Sequence, residues 1–216
     1  MPKEENNNCA PNACHRDFNK HLHDRSQNER IVDFINEVGM LRRTPRTGYQ
    51  FLGTGAENVA EHSHRVSIIG FVLAKLAGAD IAQTVFLCLF HDLAEARTGD
   101  FNYVNKMYNS ANARLAMQHA TEGTGIEEDV LSYWDELEEG ASLEAKLAHD
   151  ADQLDFLFNL KSESEKGNKF ALQWMDSAVK RINTQLGKEI AKTVIETPSS
   201  YWWFNGPDAD WWEHRK

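Results

Sequence analysis

The chain has 216 residues, which is long enough to bury a sizeable core without disulfides or a structural metal. Its 33 acidic and 23 basic residues give a formal net charge of −10, and this argues against a nucleic-acid-binding surface, which needs clustered Lys and Arg. The three cysteines are odd in number and Cys88 lies in an apolar run, which argues against a disulfide framework and favours a reducing compartment.

The first 25 residues are polar and rich in Asn, His and Arg, and they predict a loosely ordered tail. They contain no apolar signal-peptide core. No stretch of the chain reaches the roughly 18 apolar residues that a membrane helix needs. We therefore expect a cytoplasmic protein without a membrane partner, in which residues 26–197 form one domain.

Helical spacing of apolar residues begins near position 28. The stretch "NERIVDFINEVGMLRR" predicts a first helix, and the Gly- and Pro-containing "TPRTGYQFLGTGAEN" that follows predicts a loop. Asn58 is placed to cap the next helix, with Glu61 three residues later as in a capping box. That second helix should run through "VAEHSHRVSIIGFVLAKLA" and end near Gly78.

The remaining elements are also predicted to be helical. The nearly apolar "DIAQTVFLCLFHDLAEA" predicts a central, buried third helix that ends near Thr98 and Gly99. Residues 103–123 and 126–140 predict one helix each, and residues 142–167 predict a long one with Leu147, Ala151 and Leu154, as well as Phe158, on one face. Two more helices follow, and no strand-type alternation is present. The fold class is therefore predicted to be all-α, one domain of seven to nine helices.

The segment "FHDLAEARTGD" (90–100) places ionisable groups at the end of an apolar run, where burial is costly unless they are paired. His91 and Asp92 alone are weak evidence for a metal, because His149 and Asp150 form a second such pair. Together with His62 on the preceding helix and Asp152 on the long helix, they make a set of two imidazoles and two carboxylates. Such a set suits a borderline divalent ion, with Mn, Fe, Co, Ni and Zn all plausible.

Four segments in this order resemble the HD-domain phosphohydrolase superfamily, whose motif is H…HD…D, and within it the 5′-deoxynucleotidase branch. They are "RRTPRTG" (42–48), "ENVAEHSHRV" (57–66), "FHDLAEARTGD" (90–100) and "KLAHDADQLD" (146–155). The resemblance covers about residues 28–185 and implies a single HD-domain helical bundle. It also implies one divalent transition metal on His62, His91, Asp92 and Asp152, catalytic acids at Glu95 and Asp100, and a phosphate-binding Arg43. Thr44 stands where some members carry a bulky aromatic residue, so the base and sugar preferences stay open.

The implied activity is hydrolysis of (deoxy)nucleoside 5′-monophosphates to nucleoside and phosphate. Glu95 would orient or deprotonate the attacking water, and Asp100 would either donate a proton to the leaving 5′-oxygen or bind a sugar hydroxyl. One alternative is a nucleotide phosphodiesterase, which would want a second metal. Another is a diphosphohydrolase of guanosine alarmones, which would carry further basic loops. A non-catalytic nucleotide sensor is the third, although a sensor has no need of proton-transfer carboxylates.

Three further features complete the sequence-based predictions. His149 is expected at the surface or beside the metal ligands, and His64 is expected to be packed or exposed rather than liganding. Residues 198–216 carry four tryptophans and should pack on the domain or on a partner subunit. We accordingly expect a homo-oligomer, with a dimer favoured.

Overall fold

The computed structural model describes residues 24–204, and this part of the chain is α-helical without β-strands. The helices are α1 (Gln27–Val38), α2 (Tyr49–Leu52), α3 (Val59–Ala77), α4 (Ile81–Phe90), α5 (Glu95–Thr98), α6 (Tyr103–Tyr108), α7 (Ala113–Thr121), α8 (Glu127–Glu139), α9 (Leu143–Glu165), α10 (Lys169–Lys180) and α11 (Gln185–Glu196). The predicted all-α class is confirmed. The three short helices α2, α5 and α6 come in addition to the seven to nine that the sequence predicts. Within the described residues, no helix is long and apolar enough to cross a membrane.

Local capping signals fix the boundaries of α3 as the sequence predicts. The Asn58 side chain accepts from the Glu61 backbone N–H at 3.0 Å, and the Glu61 carboxylate accepts from the Asn58 N–H at 3.2 Å. At the other end, Gly78 takes the left-handed conformation (φ 71°), which a residue with a side chain adopts only at a cost. These two signals position His62 in the first turn of α3.

The predicted third helix is wrong at its C-terminal end. α4 ends at Phe90, and the chain then turns before the short helix α5 begins at Glu95. In this turn the backbone N–H groups bond three residues back rather than four, with Leu93 N to Phe90 O at 3.1 Å and Glu95 N to Asp92 O at 3.0 Å. This tighter winding changes the directions of His91 and Asp92 from those of a continuous helix.

Two other predictions about the helices need correction. Residues 103–123 form two helices, α6 and α7, because Asn112 caps a new start by accepting from the Leu115 N–H at 3.1 Å. α4 is not the central helix, since Phe86 and Leu89 on one face are 41% and 45% exposed. The exposed Phe158 likewise lies off the predicted buried face of the long helix.

The core forms around α9, the 23-residue helix that packs against α3, α4, α10 and α11. Its buried residues Leu147, Leu154 and Leu157 meet Val66 of α3 and Leu87 of α4 in one apolar cluster. Burying a leucine side chain contributes roughly 1.5–3 kcal/mol relative to leaving it exposed. α9 is therefore held firmly against α3 and α4, and α3, α9 and the turn after α4 carry the four candidate metal ligands.

The two ends of the chain leave part of the predicted organisation open. Residues 1–23 of the predicted tail (1–25) and residues 205–216 of the tryptophan-rich segment (198–216) lie outside the described residues, as do Cys9 and Cys14. Of that segment, Tyr201, Trp202 and Trp203 are exposed, and the indole of Trp202 is 84% accessible. The domain boundaries at residues 26 and 197 stay predictions.

Candidate metal centre

Three elements bring four candidate ligands together. His62 comes from α3, His91 and Asp92 come from the turn after α4, and Asp152 comes from α9. The two Nε2 atoms of His62 and His91 are 3.2 Å apart. The His62 Nε2 atom also lies 3.2 Å from Asp152 Oδ1 and 3.5 Å from Asp92 Oδ2, while His91 Nε2 lies 3.1 Å from Asp92 Oδ2. The ligand atoms of His62, His91 and Asp92 therefore converge, and Asp152 approaches them on the side of His62.

The outer nitrogen of each imidazole has its own acceptor. His62 Nδ1 lies 2.7 Å from Asp155 Oδ2, and His91 Nδ1 lies 2.7 Å from the backbone oxygen of Cys88. When the rings are neutral, these acceptors place the proton on Nδ1 and leave the Nε2 lone pair facing inward. A carboxylate or carbonyl behind a histidine is the usual arrangement that orients a metal-binding ring.

The spacing of these atoms fits a divalent ion. Nitrogen and oxygen ligands at about 2.1 Å from a common ion are separated by about 3.0–3.4 Å, depending on the coordination angle. The distances around His62 and His91 agree with this range, and these residues with Asp92 form a set whose ligand atoms lie within 4.8 Å of one another. Asp152 adds a fourth oxygen through its contact with His62. The mixed nitrogen and oxygen set suits Mn, Fe, Co, Ni or Zn.

Electrostatics keep both carboxylates ionised. Burial would raise the pKa of Asp92, but the neighbouring His91 and Arg46 outweigh it and hold the pKa well below its usual range. For Asp152, burial is likewise outweighed, chiefly by His62. Burial would lower the pKa of His62, yet its bonds with Asp152 and Asp155 raise it to about 10. A cation that binds here therefore meets two ready carboxylates and competes with a proton for His62.

A second group of possible ligands lies behind His62. Glu57, His62 and Asp155 have ligand atoms within 4.8 Å of one another. The guanidinium of Arg65, however, donates to Asp155 Oδ1 and lies 3.4 Å from Glu57 Oε1. Positive charge is thus already supplied by a side chain, and this group orients His62 rather than offering a second metal site.

The structure does not bring the predicted Arg43 into the site. Arg43 ends a short 3-10 turn (Gly39–Arg43) with its side chain exposed, whereas Arg46 points into the cavity. Arg46 Nη1 lies 2.9 Å from Asp92 Oδ2 and 3.9 Å from Asp100 Oδ1, and Nη2 lies 3.9 Å from Asp152 Oδ1. The loop folds back on the residues just before α3, where the Arg46 backbone N–H donates to the Glu57 backbone oxygen at 2.9 Å. This turn directs the Arg46 side chain into the cavity.

Glu95 and Asp100 both line the cavity beside this cluster. Burial, together with the charges of Asp92 and Asp100, raises the pKa of Glu95 to about 9, and its Oε2 atom is buried without a hydrogen-bond partner in the described structure. Asp100 Oδ2 accepts from the Thr47 backbone N–H at 2.6 Å and so anchors the loop that carries Arg46. Glu95 Oε2 is thus free of hydrogen bonds in the described structure, while Asp100 is already engaged as an acceptor.

His64 and His149 lie where the sequence analysis expects them. His64 is exposed on α3, and His149 lies at the surface with its Nδ1 2.9 Å from Asn183 Nδ2. Asp150, the other half of that second His–Asp pair, is buried and accepts from the backbone N–H groups of Asn183 and Thr184 at 2.6 and 2.8 Å. Its function is to hold the turn before α11.

Sequence reasoning missed two residues of the site. Asp155 follows Asp152 by three positions on α9, so helical spacing puts both on adjacent parts of one face and offered a usable signal. Arg46 belongs to the cluster of Arg42, Arg43 and Arg46, and nothing in the spacing distinguishes which guanidinium turns inward. The answer depends on the path of the loop.

The HD-domain family model matches residues 38–194 of the chain. The 5′-deoxynucleotidase HDDC2 of Danio rerio is 29% identical over 147 residues, which cover 65% of this chain and 73% of that protein. HDDC2 of Homo sapiens is 26% identical over 145 residues, or 64% of this chain and 71% of that protein. A solved structure of a conserved hypothetical protein from Pyrococcus furiosus is 25% identical, with a TM-score of 0.63 over 77% of this chain and 99% of that one.

Proposed function

The chain belongs to the HD-domain family, and we propose that it is a metal-dependent phosphohydrolase that converts (deoxy)nucleoside 5′-monophosphates into nucleoside and phosphate. The observation that carries this proposal is the meeting of two inward-facing imidazole nitrogens with two carboxylates at the wall of a cavity. The 5′-deoxynucleotidase names of its relatives supply the substrate class.

His62, His91, Asp92 and Asp152 would hold one divalent transition metal. Such an ion supplies a bound water of lowered pKa and draws charge from a phosphate oxygen. In this proposal Arg46 takes the place predicted for Arg43 and binds the phosphate. Glu95 transfers the proton, because its buried oxygen is free to face the water or the leaving group. Asp100 holds the Arg46 loop and accepts from the substrate.

The proposal is tested by measuring phosphate release from nucleoside 5′- and 3′-monophosphates, with each divalent ion added back to chelated protein. We expect release from the 5′ esters, with one of Mn, Fe, Co, Ni or Zn required. Release from cyclic or linear diesters alone would establish the phosphodiesterase alternative. Binding of nucleotides without release of phosphate under any ion would establish the sensor.

Arg46→Ala should lower kcat/KM on a nucleoside 5′-monophosphate by at least tenfold, and by about a hundredfold if two charged hydrogen bonds are lost, since each contributes about 1.5–3 kcal/mol. Arg46→Lys keeps the charge but not the planar two-point contact, so it should recover only part of this loss. On an activated diester such as bis(p-nitrophenyl) phosphate both losses should be smaller. Steady-state kinetics of the variants on both substrates measure this.

Arg43→Ala is the matched control, because Arg43 lies three residues away and is exposed. It should stay within about twofold of the wild type, as surface substitutions usually do. A larger loss from Arg43→Ala than from Arg46→Ala would restore the sequence-based assignment. Metal content is measured in parallel, since Arg46 also contacts Asp92.

The predicted homodimer remains part of the proposal, and an exposed apolar face on α3 supports it. Ile68, Phe71, Val72 and Leu76 share this face and are 42–64% exposed. Light scattering should give twice the chain mass, and Phe71→Glu with Leu76→Glu should give a monomer that retains its metal. A monomeric wild type would refute the dimer, and an unchanged dimer in the double variant would place the interface elsewhere, including on the exposed Trp202 and its neighbours.

A further inference from the structure

The cavity continues from the His/Asp cluster to a wall of aromatic side chains, which we call the aromatic wall: Tyr103, Phe156 and Trp174, with Arg181 among them. Phe156 and Trp174 lie with their ring centroids 6.4 Å apart at 40° to each other. The guanidinium carbon of Arg181 is 5.5 Å from the Tyr103 ring centroid and 5.6 Å from that of Phe156. The charged end of the cavity therefore faces an end built for flat, polarisable groups.

Two buried polar atoms of residues that line the cavity have no hydrogen-bond partner in the described structure. They are Nε of Arg181, which only donates, and Oε1 of Gln153, which only accepts. The orientation of the Gln153 amide follows from its Nε2 atom, which donates to Asp152 Oδ2 at 2.7 Å. Leaving a buried donor or acceptor unpaired costs about 1–3 kcal/mol, so such groups generally await a ligand or water. A ligand that satisfies both carries an acceptor and a donor.

The position of the aromatic wall relative to the metal ligands fits one molecule that spans both. Phe156 follows Asp152 by four residues on α9, so both lie on the same side of the helix, about 6 Å apart along its axis. A phosphate bound near Asp152 and Arg46 would thus have the wall about one sugar ring away. A group attached to the far side of that sugar would therefore contact the aromatic wall.

We propose that the aromatic wall is the binding site for the heterocyclic base of the substrate, with the base stacked on Trp174 and Phe156 and accepting a hydrogen bond from Arg181. This inference rests on the proposed function, because it assumes a nucleotide whose phosphate is at the metal. A second phosphate is the other group that a guanidinium would bind. The three rings favour a flat base, since a phosphate gains nothing from a stacking surface.

The experiment compares kcat/KM for deoxynucleoside 5′-monophosphates with kcat/KM for 2-deoxyribose 5-phosphate, which has the same phosphoester and no base. The wild type should prefer the nucleotides by about tenfold to a hundredfold, the range expected for stacking of one base. Trp174→Leu and Arg181→Gln should each reduce this ratio by about tenfold, while Trp174→Phe, which keeps a ring, should retain most of it. In the Trp174→Leu and Arg181→Gln proteins, the inhibition constant of a free deoxynucleoside should rise in parallel, and the inhibition constant of inorganic phosphate should rise much less.

Arg114→Gln is the control for Arg181→Gln, since Arg114 pairs with Asp135 at the surface and should leave the ratio unchanged. Equal turnover of deoxyribose 5-phosphate and nucleotides by the wild type would overturn the base site and leave the proposed function standing. Absence of turnover on all 5′ esters would instead refute the proposed function. If 3′,5′-bisphosphates are preferred and Arg181→Gln removes that preference, the wall binds a second phosphate and the base assignment falls.

Discussion

Asp152→Asn should remove most of the bound metal and nearly all phosphatase activity while leaving the helices intact. The substitution replaces an ionised carboxylate, whose Oδ1 lies 3.2 Å from His62 Nε2, with a neutral amide, so that the ion loses a charged ligand. His91→Ala should have the same effect, because the imidazole contributes one of the two inward nitrogens. The ligands His62 and Asp92 are expected to be equally necessary. Metal analysis of the purified variants measures the loss of the ion, and circular dichroism measures whether the helices are intact.

The chain offers matched controls for these variants. His64 stands two positions from His62 on the same helix and is exposed, and Asp176 is an exposed carboxylate on α10. His64→Ala and Asp176→Asn should keep full metal occupancy and activity. Full occupancy in the Asp152→Asn protein would rule out this ligand set. The helices should survive loss of the metal, since the apolar cluster around α9 forms a core that does not depend on the ion.

Glu95→Gln should keep the metal and bind substrate, yet lose about 10²–10⁴-fold in turnover, the usual range for a lost general acid or base. Glutamine has nearly the same shape and can still form hydrogen bonds, but it cannot exchange a proton. The raised pKa of Glu95, caused mainly by burial, means that the carboxyl group holds its proton more tightly than usual. A divalent cation near Asp92 would act in the opposite direction: it would lower the pKa of Glu95, so that the carboxyl group gives up its proton more readily.

Kinetics and metal analysis of the same Glu95→Gln sample separate the two functions that a carboxylate could have here. A fall in kcat with unchanged metal content supports proton transfer. Metal loss equal to that of His91→Ala would make Glu95 a ligand instead. Asp100→Asn provides a comparison. Because Asp100 accepts from the Thr47 N–H and so anchors the Arg46 loop, this substitution should change KM as well as turnover.

The parts of the fold that local chemistry determines were predictable from sequence. α3 has the predicted boundaries because the capping box at Asn58 and the left-handed Gly78 both act within a few residues. The end of α4 was not predictable in this way, since "HDLAEA" is a good helical sequence. Side chains from distant parts of the chain contact the turn after α4, among them Arg46, which donates to Asp92 Oδ2 at 2.9 Å, and no local propensity contains such a contact.

The candidate site shows the same division. His62, His91, Asp92 and Asp152 were identified by motif order, and the structure brings them together. The resemblance points to Arg43, whereas the loop that folds back on Glu57 turns Arg46 into the cavity, and sequence spacing does not contain this path. Asp155 needed α9 to be placed against α3 before its bond to His62 could be seen.

The pairing of α3 with α9 also bears on how the protein is made. His62 and Asp155 are 93 residues apart in the chain. During synthesis, His62, His91 and Asp92 therefore emerge from the ribosome well before α9, which carries Asp152 and Asp155. Until α9 is synthesised and packs onto α3, His62 lacks both the oxygen that shares the ion and the carboxylate that orients its ring. A growing chain therefore has only a fragment of the site. With the proposed ligand set, binding of the ion would follow the packing of α9, so the choice among competing ions would fall to the folded protein rather than to the nascent chain.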